Sequence, residues 1–275
     1  MAEIVDLENH RRERANTTTS LYATLTYRCP NCGRTVLPLE VEAFGQMRLI
    51  RAACACEQAR WQEEARFLRE LEQRQRVEQL FSMAELGPRF ADCTFENWQP
   101  RLGAVEAHRA ALDYAERFRE HAAQGRGLIL FGPPGNGKSH LAAAIVNKLL
   151  AEGVCCVFRT VPALLKKIQA TWDEDIGVTE HSLIQALVSA DLVVLDDAGA
   201  EKWSEWSEST LYYVIDERYR WKRPAIVTSN CDLAQLEAQV GQRAFDRLVE
   251  TCSLIENRAA SYRQEQARKR RAKQA

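Results

Sequence analysis

The chain of 275 residues has no apolar run near the ~18 residues that a bilayer-crossing helix requires. Its opening stretch, "MAEIVDLENHRRERAN", is charged throughout and lacks the apolar centre of an export signal. These two absences make the cytoplasm the expected location. Excess charge is missing as well: 37 Lys and Arg face 38 Asp and Glu, a formal net charge of −1 that excludes a globally basic nucleic-acid binder. A reducing compartment disfavours disulfides, so the nine cysteines are expected as metal ligands or as small buried hydrophobes. With 46% hydrophobic residues the chain has enough material for a full core, and its length suits one domain with a smaller appendage.

Residues 1–19 show no periodicity and read as a flexible arm. Residues 20–56 alternate apolar and polar positions around "VLPLEVEAFGQMRLIRA" between two cysteine pairs, a small ribbon-like unit with too little core of its own. Residues 57–88 are rich in Glu, Arg and Gln, and Trp61, Ala65, Leu68, Val77, Leu80, Phe81 and Ala84 recur at helical spacing. This predicts a long charged linker helix ending before Gly87 and Pro88, either a solvated spacer or a partner-binding helix. Over residues 89–263 predicted strands and helices alternate, the pattern of a three-layer α/β domain around a mainly parallel sheet. Residues 264–275 place a basic tail on a neutral body, a solvated end or a contact for nucleic acid or an acidic partner.

"GLILFGPPGNGKSHLAAAIVNKLL" holds a phosphate-loop pattern at Gly132, Pro133, Pro134, Gly135, Asn136, Gly137, Lys138 and Ser139, between an expected strand and an expected helix. The glycines allow backbone N–H groups to point at phosphate oxygens, Lys138 reaches the β and γ phosphates of ATP, and Ser139 ligates Mg2+. His140 adjoins the loop. "ADLVVLDDAG" is an apolar strand ending in two carboxylates, at the edge of an open α/β sheet where ligands sit. Asp196 is the expected magnesium ligand and Asp197 the group that orients or deprotonates the attacking water. Asp in the second position has a short reach, so slow hydrolysis is expected. "RPAIVTSN" ends in Asn230, placed to hydrogen-bond the γ-phosphate or that water, and "GQRAFDRLVE" sets Arg243 and Arg247 four residues apart on one helical face.

The succession "FGPPGNGKSHLA", "ADLVVLDDAG", "RPAIVTSN", "GQRAFDRL" and "SYR" resembles the AAA+ ATPases of the DnaC/DnaI helicase-loader and IstB group over residues 90–263. The resemblance implies an AAA+ sandwich and an ATPase. It implies that residues 90–98 help bind the adenine end, that Asn230 is sensor 1, Arg247 the arginine finger with Arg243 as alternative, and Arg263 the sensor 2 arginine. Too few residues follow Arg263 for the helical lid of most AAA+ proteins, which fits this group and implies a site completed by a neighbouring subunit.

Cys29 and Cys32 in "RCPNCG", with Cys54 and Cys56 in "CAC", supply four thiolates, the set a closed tetrahedral structural zinc site needs. Loaders of the DnaI type resemble this arrangement, with a zinc-containing N-terminal domain that grips the helicase. The expected function is therefore an ATP-dependent loader: the zinc module docks a hexameric replicative helicase, and ATP governs self-association and release onto single-stranded DNA. The alternative is an IstB-like, ATP-switched DNA-binding helper of a transposase or recombinase. For DNA contact, Trp203 and Trp206 beside Lys202 suggest base stacking, although tryptophans in such a segment more often pack.

Overall fold

The structure is a computed structural model that describes residues 5–6, 21–81, 86–172, 177–199 and 204–274. The chain forms two compact units, Met1–Leu71 and Glu72–Ala275. Lys202, Trp203 and Ala84 lie outside the described residues, as does most of the arm over residues 1–19.

The first unit is built from short antiparallel pieces. β1 (Val5–Asp6), β5 (Gln46–Ile50) and β4 (Leu39–Ala43) form one three-stranded sheet, and β2 (Tyr27–Arg28) pairs with β3 (Thr35–Val36). Among the described residues of this unit the buried hydrophobic side chains are Leu25, Cys29, Leu49, Ala52 and Cys54, too little core to fold on burial alone. A 27-residue helix, α1 (Ala55–Phe81), begins in this unit, and the division between the units falls within it. Its start is fixed by Cys54: Glu57 N and Gln58 N bond the Cys54 carbonyl at 2.9 Å, and Glu57 Oε2 reaches back to Cys54 N at 3.0 Å. That reciprocal arrangement satisfies donors that a helix start otherwise leaves unpaired.

The second unit has a five-stranded, fully parallel sheet. In the order of the sheet its strands are β10 (Cys252–Glu256), β6 (Gly127–Phe131), β9 (Ala225–Ser229), β8 (Leu192–Ala198) and β7 (Cys156–Thr160). Strand alternation sorts its side chains to two faces. Leu128, Leu130, Leu192, Val194 and Ile226 meet α3 (Val105–Glu116) and α5 (Lys138–Ala151). Ile129, Val157, Val193, Leu195 and Val227 meet α6 (Val161–Ala170), α7 (Glu180–Ser189), α8 (Glu205–Arg220) and α10 (Gln242–Thr251). The shorter helices α2 (Gly87–Ala91), α4 (Phe118–Ala123) and α9 (Leu233–Val240) complete the layers. This is the expected three-layer architecture, with "CVFRT" as an edge strand whose Cys156, like Cys155 just before it, is nonetheless buried.

The basic segment from Gln264 onward is most of a helix, α11 (Tyr262–Gln274), with residues 268–272 exposed. The apolar positions of the linker helix also divide: Trp61 and Leu68 are exposed in the first unit, whereas Val77 and Phe81 are 2% and 1% exposed in the core of the second. Lys167 seals that end, its Nζ donating to the Leu80 carbonyl at 2.6 Å and lying 4.9 Å from the Phe81 ring. Phe81→Ala is therefore expected to destabilise the second unit by about 3–5 kcal/mol in chemical unfolding. Phe67→Ala, on the exposed part of the same helix, should change stability by no more than about 0.5 kcal/mol.

Candidate functional site

β6 ends at Phe131, and residues 132–137 turn the chain into α5, whose first residue is Lys138. The turn needs glycine for space as well as for backbone angle. At Gly137 φ is 100°, and a Cβ there would stand 2.5 Å from the Trp98 ring; at Gly135 φ is 78° and a Cβ would collide with Ser261 Oγ. The loop is held from both sides. Arg101 donates to the Ala260 and Asn136 carbonyls, each at 2.7 Å, and Tyr262 N donates to the Gly135 carbonyl at 2.8 Å. Asn136, fully buried, donates through Nδ2 to the Asn257 carbonyl at 2.5 Å, and Asn257 Nδ2 returns a bond to the Asn136 carbonyl at 3.2 Å.

The Lys138 ammonium is 5% exposed and has four oxygen acceptors: the carbonyls of Gly132 (2.8 Å) and Pro133 (2.9 Å), Asn136 Oδ1 (3.1 Å) and Asn230 Oδ1 (2.9 Å). Burial pulls its pKa down to about 8, with the carboxylates of Asp196 and Asp197 opposing that shift. Asn230, just past β9, joins this lysine to the second carboxylate, because its Nδ2 donates to Asp197 Oδ1 at 2.5 Å.

The two carboxylates diverge at a break in the β8–β9 register between Leu195 and Ala198, where Asp197 adopts φ 58°. Such irregularities re-aim side chains, and Asp tolerates the left-handed region better than most residues. Asp196 consequently turns inward, 3% exposed, while Asp197 remains half-buried. Burial raises the Asp196 pKa above the usual carboxylate range, and hydrogen bonds from the Thr228 and Ser139 hydroxyls pull it back. A buried carboxylate beside a Ser hydroxyl is a hard-oxygen set suited to Mg2+, and a cation there would offset the desolvation of Asp196.

These groups border one cavity of about 670 Å3, large enough for a nucleotide. The rest of its wall comes from residues before α3, including Phe90, Cys93 and Trp98, from Thr160 at the end of β7, and from Tyr262 and Arg263 at the start of α11. The segment before α3 is pinned to α5: Asn147 Nδ2 donates to the carbonyls of Phe90 (2.9 Å) and Cys93 (2.7 Å), and His140 Nε2 meets the Thr94 carbonyl at 3.0 Å. His140 thus anchors the wall as well as bordering the cavity.

The structure gathers residues 134–139, His140, Asp196, Asp197, Asn230 and Arg263 around the cavity, with Gly132 and Pro133 bound to Lys138. It does not bring Arg247 there. Arg247 sits on α10 at 3.3 Å from Asp216 and over the Tyr219 ring at 4.4 Å, while Arg243 on the same helix is exposed. Trp206 meets Trp172 edge-on at 5.0 Å and packs on the core, which is the packing role rather than an open stacking face. Sequence reading missed Thr228, whose signal was a polar residue directly after the apolar run of β9. It also missed Arg101, Asn147 and Asn257, which no periodicity marks.

In the first unit, the sulfurs of Cys29, Cys32, Cys54 and Cys56 all lie within 4.8 Å of one another, with Cys29 to Cys56 at 3.4 Å and Cys32 to Cys54 at 3.5 Å. Four thiolates at about 2.3 Å from a tetrahedral Zn2+ stand about 3.8 Å apart, so the cluster fits that ion. The first pair is a knuckle closed by Gly33 N on the Cys29 carbonyl at 2.9 Å, and backbone N–H groups of Cys32 and Asn31 lower the Cys29 thiol to about 7. The second pair sits at the start of α1, with Cys54 just ahead of its first residue and Cys56 in its first turn, and both sulfurs belong to the cluster. Among the described residues the remaining cysteines make no such group, and Cys93, Cys155, Cys156 and Cys252 are buried.

The family described as IstB-like ATP binding protein matches residues 61–270, which leaves the four cysteines outside the matched stretch. The replicative helicase loader DnaC of Escherichia coli (strain K12) is 30% identical over 194 residues, 68% of this chain and 78% of that protein. The crystal structure of a DnaC helicase loader superposes with TM-score 0.57 at 23% identity, covering 62% of this chain and all of that one. A DnaI crystal structure gives TM-score 0.52 at 23% identity, covering 63% of this chain and 92% of that one. The structural likenesses establish an AAA+ P-loop fold.

Thr228 offers a test of the site that leaves its principal residues intact. Its hydroxyl donates to Asp196 Oδ1 at 2.6 Å and accepts from Asp197 N at 3.0 Å. Thr228→Val keeps the strand and its volume but releases the Asp196 carboxylate and the backbone N–H of Asp197. ATP turnover, measured by phosphate release, is expected to fall about 10- to 100-fold, with nucleotide Kd changed far less.

Proposed function

The chain belongs to the IstB-like ATP binding protein family, and from that membership we propose that it is an ATP-dependent loader of a replicative DNA helicase onto single-stranded DNA. The observation that carries this reading is a cysteine unit fitted for zinc in one chain with a P-loop domain 30% identical to DnaC loaders. The cysteine unit docks a hexameric helicase, while ATP binding and hydrolysis in the second unit govern assembly and release.

In the nucleotide site, the backbone N–H groups of residues 135–139 and the Lys138 ammonium bind phosphate oxygens, and Lys138 exchanges carbonyl acceptors of its own loop for them. Ser139 and Asp196 hold Mg2+, which supplies charge neutralisation on the phosphates. Asp197 is oriented by Asn230 to accept a proton from the attacking water; its short side chain keeps turnover slow until DNA or a partner adjusts the site. Arg263 reaches the phosphates from the start of α11, and Trp98 with residues 90–97 shapes the adenine end. Because neither Arg247 nor Arg243 borders the cavity, the arginine finger acts in trans, from α10 of a neighbouring copy. That favours ATP-dependent self-association, with a finger worth roughly 10³ to 10⁵ in rate. Arg243 is free to act as it stands, whereas Arg247 must first leave Asp216.

Zinc held by Cys29, Cys32, Cys54 and Cys56 contributes on the order of 10 kcal/mol to folding a unit with so small a core. No described helix is long and apolar enough to cross a membrane, which suits a cytoplasmic replication protein. A second reading, an ATP-switched DNA-binding helper of a transposase or recombinase, draws support from α11, where Arg268, Lys269, Arg270 and Arg271 are exposed on a helix whose described acid is Glu265.

The purified full chain, mixed with its cognate replicative helicase and ATP, should elute as one complex, and Cys29→Ser with Cys32→Ser should abolish that complex while sparing ATP binding. No complex with or without ATP, together with tight ATP-dependent binding to duplex DNA, would sink the loader reading and carry the second.

A further inference from the structure

The register of the β4–β5 hairpin pairs Ala43 with Gln46, so the connecting loop is Phe44 and Gly45 alone. Both have positive φ, 55° and 73°, the signature of a tight hairpin turn that matches strand twist. Asn or Asp followed by Gly is the sequence such a turn prefers. A bulky aromatic at the first position is a genuine outlier, since its Cβ crowds the backbone there. Packing repays little of that strain, because Phe44 is 95% exposed and has only the Arg48 guanidinium, 5.9 Å from its ring centre, as a recorded neighbour. A residue that is disfavoured both by its backbone and by its exposure to water points to work done outside the unit.

The surroundings define what it fits. Pairing of Glu42 with Met47 and of Glu40 with Leu49 puts both carboxylates and Met47 on one face of the hairpin, and Met47 is 47% exposed. Tyr22 OH donates to Glu40 Oε1 at 2.6 Å and holds that carboxylate in place. An aromatic apex followed by a flexible thioether and rimmed by two carboxylates complements an apolar pocket bordered by Lys or Arg on a folded protein. The two carboxylates repel a phosphate backbone on their face of the hairpin, while Arg48, beside the Phe44 ring, belongs to the opposite face.

We propose that Phe44 is the docking anchor of the cysteine unit, inserting into a basic-rimmed apolar pocket of the helicase; this rests on the loader reading above. The decisive variant is Phe44→Asn in the full, zinc-loaded chain. Asn-Gly suits this turn better than Phe-Gly, so the thermal midpoint should hold or rise, whereas affinity for the cognate replicative helicase should fall by at least about tenfold. Phe44→Trp, which keeps an aromatic anchor, should bind within about threefold of wild type. Glu40→Lys with Glu42→Lys should weaken helicase binding more at 0.1 M than at 0.5 M salt. Wild-type affinity in Phe44→Asn, or equal loss in Phe44→Asn and Phe44→Trp, overturns the anchor and leaves the loader reading standing. A wild-type chain that binds no helicase removes the loader reading and the anchor with it.

Discussion

Burying the ammonium of Lys138 is the constraint around which the second unit is arranged. A cation at 5% exposure needs compensating oxygens, and the four it has come from two parts of the chain: residues 132–136 and Asn230. Drawing those parts together requires β6 and β9 to be neighbours, which the sheet order provides, and requires β8 beside β9 so that Asp196 and Asp197 stand nearby. The depressed pKa of Lys138 measures the desolvation that these groups only partly offset. Phosphate oxygens would complete the compensation. The same burial that weakens the charge without a ligand strengthens its attraction to one, because the local dielectric is low for both.

The two acids show how one backbone irregularity divides labour between adjacent residues. In a regular strand Asp196 and Asp197 would point to opposite faces, one of them into a helix-covered core. The register break after Leu195 and the positive φ at Asp197 keep both at the sheet edge, yet with different surroundings. Asp196 is enclosed by Thr228 and Ser139 hydroxyls, a setting for a cation; Asp197 is held by the Asn230 amide and reached from the cavity.

Much of this was legible in the sequence because the chemistry of phosphate binding is local. Residues 132–139 form one continuous loop, and the apolar runs before Asp196 and Asn230 mark strand ends directly. The layer architecture followed from alternating periodicity for the same reason. What stayed hidden is non-local or conformational. Arg101 and Asn257 act through bonds to backbone carbonyls of distant residues, and no residue type at those positions signals such a bond. The positive φ of Phe44 left no mark either, since sequence preference argues against it. The four cysteines were readable as a set from their types, whereas the capping of α1 by Cys54 and Glu57 appears only in the structure.

The segment after β10 ties the phosphate loop to the start of α11. Asn257 bonds Asn136 in both directions, Tyr262 N bonds Gly135, and Arg101 spans the Ala260 and Asn136 carbonyls while lying 5.2 Å from the Tyr262 ring. The phosphate loop and the first turn of α11 are therefore parts of one hydrogen-bonded body, with Arg263 at the cavity wall. A displacement of α11 by anything that engages its arginines would pull on the loop through these short bonds, and phosphates drawing on the loop would act on α11 through the same ones. The fold can in this way link its nucleotide site to its surface, using a strap of six residues, 257–262, that is already fastened to the loop.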